Sequence, residues 1–216
     1  QVERARVRCA SAGAGARRQA HGQEEEEGHD QEDGENESHE VSLVTPESPR
    51  PSAAAAERGA PMRLCEMLAA QRIHVDASGA VSDKKEALRL LAEYIAPLVG
   101  SDEHALEEAL AERERLQSTG IGDGVAIPHT AVDSAPGQAA ALILCRKGVA
   151  FDSIDGEDVN IIFGVVGPKR STGEHLRALA RISRLLRDSD VRRRLIESDD
   201  SEAAFQLISD HDADPK

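Results

Sequence analysis

Residues 118–130 read STGIGDGVAIPHT, and this stretch combines three features that guide the interpretation of the whole chain. Glycines alternate with other residues, a short apolar run follows, and a proline then precedes His129. Such a stretch predicts a turn, a stiff strand and an imidazole presented where the strand ends. It leaves open whether His129 performs chemistry or only packs.

The glycines at 120, 122 and 124 predict a turn with positive φ angles and close backbone approach. Successive N–H groups in such a turn bind anions, and Ser118 and Thr119 add hydroxyl donors. We therefore expect phosphate binding by Ser118, Thr119, Gly120 and Gly122. No lysine follows the glycines, which excludes a Walker loop, and their spacing excludes the dinucleotide-binding fingerprint. A plain loop between a helix and a strand is the alternative.

His129 follows Pro128, which fixes its own φ angle and favours extended backbone at Ile127. The histidine is therefore expected where the strand ends, a position typical of site residues in α/β folds. A neutral imidazole is a good nucleophile toward phosphorus near pH 7, and its phosphoramidate is high in energy. This chemistry favours a carrier that gives the group away again. The alternative is a surface or packed histidine.

Two distant residues are candidate partners of His129. His175 begins a predicted helix after a buried strand, and Arg113 lies at the end of the predicted helix before the glycines. A second imidazole and a guanidinium can bind phosphoryl oxygens and balance their charge. The alternatives are an exposed histidine in a first helical turn and an arginine paired with a glutamate four residues away.

Helical and strand-like segments alternate along the chain. Apolar periodicity predicts helices that begin at Ser82, closed by Pro97 and Gly100, and at Ser101. Short apolar runs predict strands at 124–129, 138–147 and 158–168. Alternating helices and buried strands predict an α/β fold in layers.

The last part of the chain predicts three more helices, at 174–188, 190–198 and 201–210, the last capped by Ser201. The inner side of the first of these is expected to consist of Leu176, Leu179, Ala180, Leu185 and Leu186.

Charge and apolar content exclude several classes of function. The chain has 40 acidic and 26 basic side chains and a formal charge of −14, so general attraction to nucleic acid or anionic membrane is not expected. No stretch approaches the roughly 18 apolar residues of a membrane span. Three widely spaced cysteines, Cys9, Cys65 and Cys145, indicate reduced thiols in the cytoplasm rather than a disulfide framework or zinc site.

The composition divides the chain near Met62. Residues 23–40 are nearly free of apolar side chains, and a stretch rich in proline and alanine follows, so we expect residues 1–61 to be disordered. Either they are a genuine acidic tail or they precede the natural start at Met62. Residues 62–216 are expected to form one domain with an aliphatic core.

The segment AERERLQSTGIGDGVAIPH resembles the active-site segment of enzyme IIA domains of the mannitol/fructose/nitrogen-regulatory class, type 2, in the bacterial phosphotransferase system. The later FDSIDGEDVNIIFGVVGPKRSTGEHLRALARISRLL resembles the second block of that family, in which a helix opens with His-Leu. The resemblance covers Met62 to about Ser209. The residues that match the first pattern are Arg113, Glu114, Ser118, Thr119, Gly120, Ile121, Gly122, Val125, Ala126, Ile127, Pro128 and His129.

The resemblance implies a three-layer sandwich in which a mixed sheet is flanked by helices. It implies that His129 is phosphorylated by phospho-HPr or its nitrogen-branch paralogue, with Arg113 and His175 as site partners. Two departures are Thr130, where many members carry a small residue, and Asp123, in a position often held by asparagine. We expect the Asp123 charge to destabilise phosphohistidine unless its side chain points away.

Three functions are compatible with these residues. The STGIGDGVAIPH segment is most similar to the nitrogen-regulatory subclass, which implies a phosphorylation-dependent regulator of partners such as transporters or sensor kinases. A transport enzyme IIA would instead pass phosphate to a cysteine of an enzyme IIB, and a binding module would have lost phosphotransfer. We expect a phosphohistidine-forming component rather than a turnover enzyme on a small substrate. It would need no cofactor, and no third ligand accompanies His129 and His175 to hold a metal.

Overall fold

The sheet is built from strands that differ in direction. In the computed structural model, which describes residues 62–213, six strands form one mixed sheet in the order β1-β5-β6-β3-β2, and β4 also pairs with β6. The strands are β1 Ile73–Asp76, β2 Gly120–Gly122, β3 Val125–Ala126, β4 His129–Val132, β5 Ala139–Val149 and β6 Val159–Pro168. The helices are α1 Leu64–Met67, α2 Lys84–Val99, α3 Glu103–Leu116, α4 Thr172–Arg187, α5 Ser189–Ile196 and α6 Ser201–Ala213.

The two long strands form the centre of the sheet. Strands β5 and β6 are antiparallel, with Leu142 opposite Phe163. Strand β1 is parallel to β5, and both β3 and β4 are parallel to β6. The prediction of a mixed sheet is thereby confirmed.

Alternating side chains of β5 supply two separate cores, because successive residues of a strand point to opposite faces. Ala141 and Ile143 pack with the buried side chains of α2 and α3. Leu142 and Leu144 pack on the opposite face with those of α1, α4, α5 and α6. The fold is therefore a three-layer sandwich, as the family resemblance implied.

Three helices are capped by an aspartate next to the serine that the sequence predicted. The carboxylates accept hydrogen bonds from the backbone N–H groups of Glu86, Ala105 and Ala203, respectively. A charged acceptor stabilises the positive end of a helix dipole better than a hydroxyl does. The predicted caps Ser82, Ser101 and Ser201 are corrected to Asp83, Asp102 and Asp200.

Pro97 does not end helix α2, contrary to the prediction. It lies inside the last turn, where its side chain is exposed, and the helix continues to Val99. Gly100 ends the helix in a left-handed conformation with φ of 62°, and its N–H donates to the carbonyl of Ala96. An exposed last turn tolerates the loss of the hydrogen bond that proline cannot donate, because water can satisfy the freed carbonyl.

Helix α4 presents a different inner face from the predicted one. Ala178, Ile182 and Leu186 are buried, whereas Ala180 is exposed and Leu176 is 60% exposed. A two-residue step turns a helix by about 200°, so residues 176 and 180 face away from 178 and 182. Leu176 is thus an apolar surface residue beside His175. Leu179 and Leu185 pack at the edge of the core, as expected.

The fold has no helix among residues 62–213 that is long and apolar enough to cross a membrane. The prediction of disorder for residues 1–61 lies outside the described residues and stays a prediction.

Candidate functional site

A tight hairpin delivers the chain to the site. Strands β2 and β3 are antiparallel, with Gly122 opposite Val125, and only Asp123 and Gly124 connect them. The φ angles of Asp123 and Gly124 are 54° and 72°. Two positive φ angles in a two-residue connection are typical of the type I′ turn, for which Asp-Gly is a preferred pair. The glycines therefore shape a hairpin, and its second strand, β3, runs parallel to β6.

His129 begins a new strand rather than ending one. The ladder along β6 is interrupted at Ile127 and Pro128 and resumes in β4, where His129 lies opposite Val165. The N–H of Val165 still donates to the carbonyl of Pro128 at 2.9 Å. Pro128 lacks only the donor, so the chain stays extended while the ladder has a gap. This gap sits immediately before the imidazole.

One ring nitrogen of His129 is held by the backbone. Nδ1 lies 2.8 Å from the carbonyl oxygen of Ile127. Since a carbonyl only accepts, Nδ1 carries the proton and Nε2 carries the lone pair in the neutral ring. The contact fixes both the tautomer and the ring orientation. Nε2 therefore has the free lone pair of the ring.

The surroundings keep this imidazole neutral. Burial lowers the pKa of His129 below its ordinary value, and the nearby charge of Arg113 lowers it further. The hydrogen bond to Ile127 and the charge of Glu114 oppose this lowering of the pKa but do not reverse it. The lone pair of Nε2 is thus available at neutral pH.

The structure brings His175 next to His129. The two ring centroids are 5.9 Å apart, and the rings are inclined at 48°. Both side chains are half-buried, and burial lowers the pKa of His175, as does repulsion from His129 when that ring is protonated. Nδ1 of His175 lies 2.9 Å from Oε1 of Gln138. Sequence reasoning did not single out Gln138, which is 37 residues away in the chain.

Arg113 is close enough to His129 for its charge to affect the pKa of that ring. Its Nη1 donates to the carbonyl of Gln117 at 3.0 Å, which turns the side chain toward the end of α3. Among residues 62–213, Arg113 has no carboxylate within 4 Å, whereas Arg115 pairs with Glu112. The alternative of an i,i+4 ion pair for Arg113 is therefore not what the structure shows, and its guanidinium keeps free donors.

A buried carboxylate braces the loop, and sequence reasoning gave it no role. Glu114 is 6% exposed, and its Oε2 accepts from both the N–H and the hydroxyl of Thr119, at 2.9 and 2.5 Å. Its Oε1 pairs with Nζ of Lys84 at 3.0 Å. The carbonyl of Thr119 accepts from the N–H of Ile127 at 3.0 Å, and the carbonyl of Ile127 holds His129. Helix α2 is thereby connected to the imidazole.

The four residues expected to bind phosphate are engaged in the loop itself. Both donors of Thr119 are committed to Glu114, and the residue is buried. The hydroxyl of Ser118 donates to the carbonyl of Phe151 and accepts from the N–H of Gly120. Gly122 lies in the hairpin ladder. In this conformation Ser118, Thr119, Gly120 and Gly122 support the loop, and phosphate contacts from them are not what the structure provides.

The structure locates both departures from the family pattern. The carboxylate of Asp123 lies 3.6 Å from Nη2 of Arg192. The backbone N–H of Asp123 donates to the carboxylate of Asp155. Its charge is therefore offset by an arginine. Thr130 lies in β4 opposite Val166 and is half-buried.

Four exposed apolar side chains lie near residues of the site along the chain or beside the loop. We call this set the apolar rim: Leu116 at the end of α3, Ile121 in β2, Ile154 beside β2 and Leu176 on α4. Their exposures range from 53% for Ile121 to 84% for Ile154. Large exposed apolar side chains are typical of surfaces that bind protein partners.

Comparison with known proteins confirms the resemblance found in the sequence. The profile of the family described as "Phosphoenolpyruvate-dependent sugar phosphotransferase system, EIIA 2" matches residues 66–211. A "Nitrogen regulatory protein" of Bradyrhizobium diazoefficiens is 38% identical over 129 residues, which cover 60% of this chain and 84% of that protein.

Two further proteins extend the comparison. A "PTS system fructose-specific EIIABC component" of Bacillus subtilis is 36% identical over 112 residues, covering 52% of this chain and 18% of that protein. The crystal structure of nitrogen regulatory protein IIA-Ntr from Neisseria meningitidis superposes with a TM-score of 0.62 at 30% identity. It covers 66% of this chain and 97% of that one.

Proposed function

Because the chain belongs to the EIIA 2 family of the phosphoenolpyruvate-dependent sugar phosphotransferase system, we propose that it is a phosphocarrier that uses Nε2 of His129. The observation that carries the proposal is the 2.8 Å contact between Nδ1 of His129 and the Ile127 carbonyl, which leaves Nε2 as the nucleophile. The donor we propose is the phosphohistidine of HPr or of its nitrogen-branch paralogue. The protein is a phosphohistidine-forming component that needs no cofactor, and it acts in the cytoplasm.

The transfer makes one P–N bond and breaks another. The Nε2 lone pair of His129 attacks the phosphorus, and the bond between phosphorus and the donor imidazole breaks. The Nδ1 proton stays on His129, shared with Ile127, so the phosphorylated ring carries a positive charge. When the group moves on, the ring leaves as a neutral imidazole rather than as an imidazolate. A good leaving group is what a transient carrier requires.

Two side chains would compensate the phosphoryl charge in this proposal. A phosphoryl group carries close to two negative charges near neutral pH, and its oxygens need donors. Arg113 is permanently charged and offers a planar fork of donors, and His175 offers a second imidazole beside His129. Of the partners that the sequence suggested, we therefore assign this role to Arg113 and His175 rather than to the loop residues, whose donors are engaged within the loop.

The apolar rim supports docking of protein partners at the site. A phosphoryl donor and an acceptor must each bring a side chain to His129, and the rim offers exposed Ile121 in strand β2 and exposed Leu176 next to His175. We propose that HPr-type donors use this surface. An enzyme IIB or a regulated protein would then use it in turn.

We propose that the main role is phosphorylation-dependent regulation of a transporter or sensor kinase. The names of the Bradyrhizobium and Neisseria proteins favour a nitrogen-regulatory role, and the match extends over 84% and 97% of those chains. The second candidate is sugar transport with transfer to an enzyme IIB cysteine, favoured by the 36% identity to a fructose-specific component. A fructose-type enzyme IIB that removes the phosphoryl group rapidly would favour transport.

Labelling tests the proposal. The full chain is incubated with labelled phosphoenolpyruvate, enzyme I and HPr or its nitrogen-branch paralogue. We expect acid-labile label on the wild type and none on His129→Gln, while His104→Gln, an exposed histidine on α3, serves as the control. Label that persists on His129→Gln places the phosphoryl group elsewhere. A wild type that accepts no label contradicts the proposed function.

A further inference from the structure

We propose that Gln138 is a positioning residue whose side-chain amide switches the tautomer of His175 when His129 is phosphorylated. The inference rests on the proposed function, since it concerns how the site receives the phosphoryl group. It begins from the hydrogen bond between Nδ1 of His175 and Oε1 of Gln138, 2.9 Å long and partly buried. This is the only hydrogen bond of the His175 ring among residues 62–213.

The tautomer in this arrangement is unsuited to a phosphoryl group. An amide oxygen accepts, so Nδ1 of His175 carries the proton and Nε2 of the neutral ring carries a lone pair. The phosphoryl oxygens on His129 also only accept. Two acceptors facing each other repel, so a neutral His175 must carry its proton on Nε2 to help hold the group.

The amide of Gln138 can serve either tautomer. Its Nε2 is buried and has no hydrogen-bond partner among the described residues, so no other contact fixes the direction of the amide. A half-turn about the last side-chain torsion exchanges Oε1 and Nε2. Nε2 of Gln138 would then donate to Nδ1 of His175, which places the His175 proton on Nε2.

Gly167 provides the space that the amide of Gln138 occupies. A Cβ atom at position 167 would collide with Oε1, Nε2 and the amide carbon of Gln138, so the flat amide lies directly on the glycine backbone. Both ends of the amide meet the same surface, and oxygen and nitrogen are nearly equal in size. Rotation therefore preserves the packing and changes only the hydrogen bond.

The proton balance of the switch is neutral. His175 releases the proton on Nδ1 to solvent and takes one from solvent on Nε2, so its charge does not change. Without the phosphoryl group, Nδ1–H donates to Oε1 of Gln138. With the group on His129, Nε2–H of His175 donates to a phosphoryl oxygen. Nε2 of Gln138 gains the partner that it lacks in the free protein.

Nitrogen NMR on the full chain tests the switch. Long-range proton–nitrogen correlations separate protonated from bare ring nitrogens of His175, before and after phosphorylation by phosphoenolpyruvate, enzyme I and HPr. Phosphorus NMR of the same sample reports whether His129 is phosphorylated. We expect the proton on Nδ1 in the free protein and on Nε2 in the phosphorylated protein.

Two variants separate positioning from simple packing. In Gln138→Glu the carboxylate only accepts, so His175 keeps Nδ1–H in both states. In Gln138→Met no partner exists, so the free protein loses its preference for Nδ1–H. The variant also lacks the amide donor that favours Nε2–H in the phosphorylated state, so we expect it to accept phosphate about tenfold more slowly. Gln206→Glu, which changes an exposed amide on α6, should leave the His175 signals unchanged.

The outcomes are distinguishable. An unchanged His175 tautomer in a sample whose His129 is phosphorylated overturns the switch alone. A free protein with Nε2–H on His175, or a Gln138→Met spectrum identical to that of wild type, also overturns it. Absence of any phosphoryl signal overturns the proposed function and the switch together.

Discussion

Replacement of Glu114 by alanine should destabilise the protein and impair phosphoryl acceptance together. The side chain is buried and accepts two hydrogen bonds from Thr119, which it holds against the end of α3. Its cationic partner Lys84 keeps a second carboxylate, Asp152, at 2.7 Å, so the variant leaves no unpaired ammonium. The loss therefore falls mainly on the N–H and hydroxyl of Thr119.

The magnitude follows from these two hydrogen bonds. Each hydrogen bond to a charged group contributes about 1.5–3 kcal/mol. We take the lower end of this range because the loop can relax toward water. For the two bonds together, Glu114→Ala should lose about 3 kcal/mol of unfolding free energy. For a domain of this size that is a fall of roughly 6–12 °C in Tm. Thr119→Val, which removes only the hydroxyl, should show about half of this fall.

Calorimetry and labelling together provide the assay. The matched control is Glu112→Ala, two residues away on the same helix, where an exposed carboxylate pairs with Arg115. We expect the control to melt like the wild type, because exposed ion pairs contribute little. Glu114→Ala should also accept phosphate at least about tenfold more slowly, since Thr119 holds the backbone that orients His129. A Glu114→Ala protein that melts and reacts like the control refutes this reasoning.

Three further predictions address charge, pH and the N-terminal segment. Arg113→Lys should slow phosphoryl acceptance by about tenfold to a hundredfold, because lysine lacks the planar fork of donors. The control Arg115→Lys should react like the wild type, and equal rapid-quench rates from phospho-HPr for the two variants would contradict this prediction. Burial lowers the pKa of both His129 and His175, so these rings bind protons more readily in the unfolded chain than in the folded protein. Tm should therefore fall as the pH drops below about 6.5. The fall in Tm should be smaller when His129 and His175 are both replaced by glutamine, and His104→Gln is the control. A double variant with the pH dependence of the wild type would contradict this prediction. A protein that starts at Met62 should keep its Tm and its phosphoryl acceptance; a large loss of either would show that residues 1–61 contribute to the domain.

The sequence predicted the layers of the fold because these depend on local patterns. Short apolar runs indicated the long strands β5 and β6, whereas His129 was expected at the end of a strand and begins β4 instead. Strand β1 was not predicted because its four residues, Ile73–Asp76, include two polar ones and show no long apolar run. The Asp123-Gly124 pair was a readable signal for the type I′ hairpin, and it was interpreted as part of an anion-binding turn instead.

The supporting residues could not be predicted because their partners are distant in the chain. Lys84 and Glu114 are 30 residues apart, and Gln138 and His175 are 37 apart. Many glutamates of similar helical surroundings precede the glycines, and only tertiary packing buries Glu114 rather than its neighbours. The same packing commits Thr119 to Glu114, which is why a hydroxyl expected to face phosphate faces a carboxylate.

The most direct measurement is the identity of the phosphorylated nitrogen. Nitrogen-15 and phosphorus NMR of the full chain, phosphorylated through enzyme I and HPr, report which ring atom is bonded to phosphorus. We predict a P–N bond at Nε2 of His129 with the proton retained on Nδ1, because Nδ1 donates to the Ile127 carbonyl at 2.8 Å. A phosphoryl group on Nδ1 of His129, on His175 or on neither ring would contradict the account.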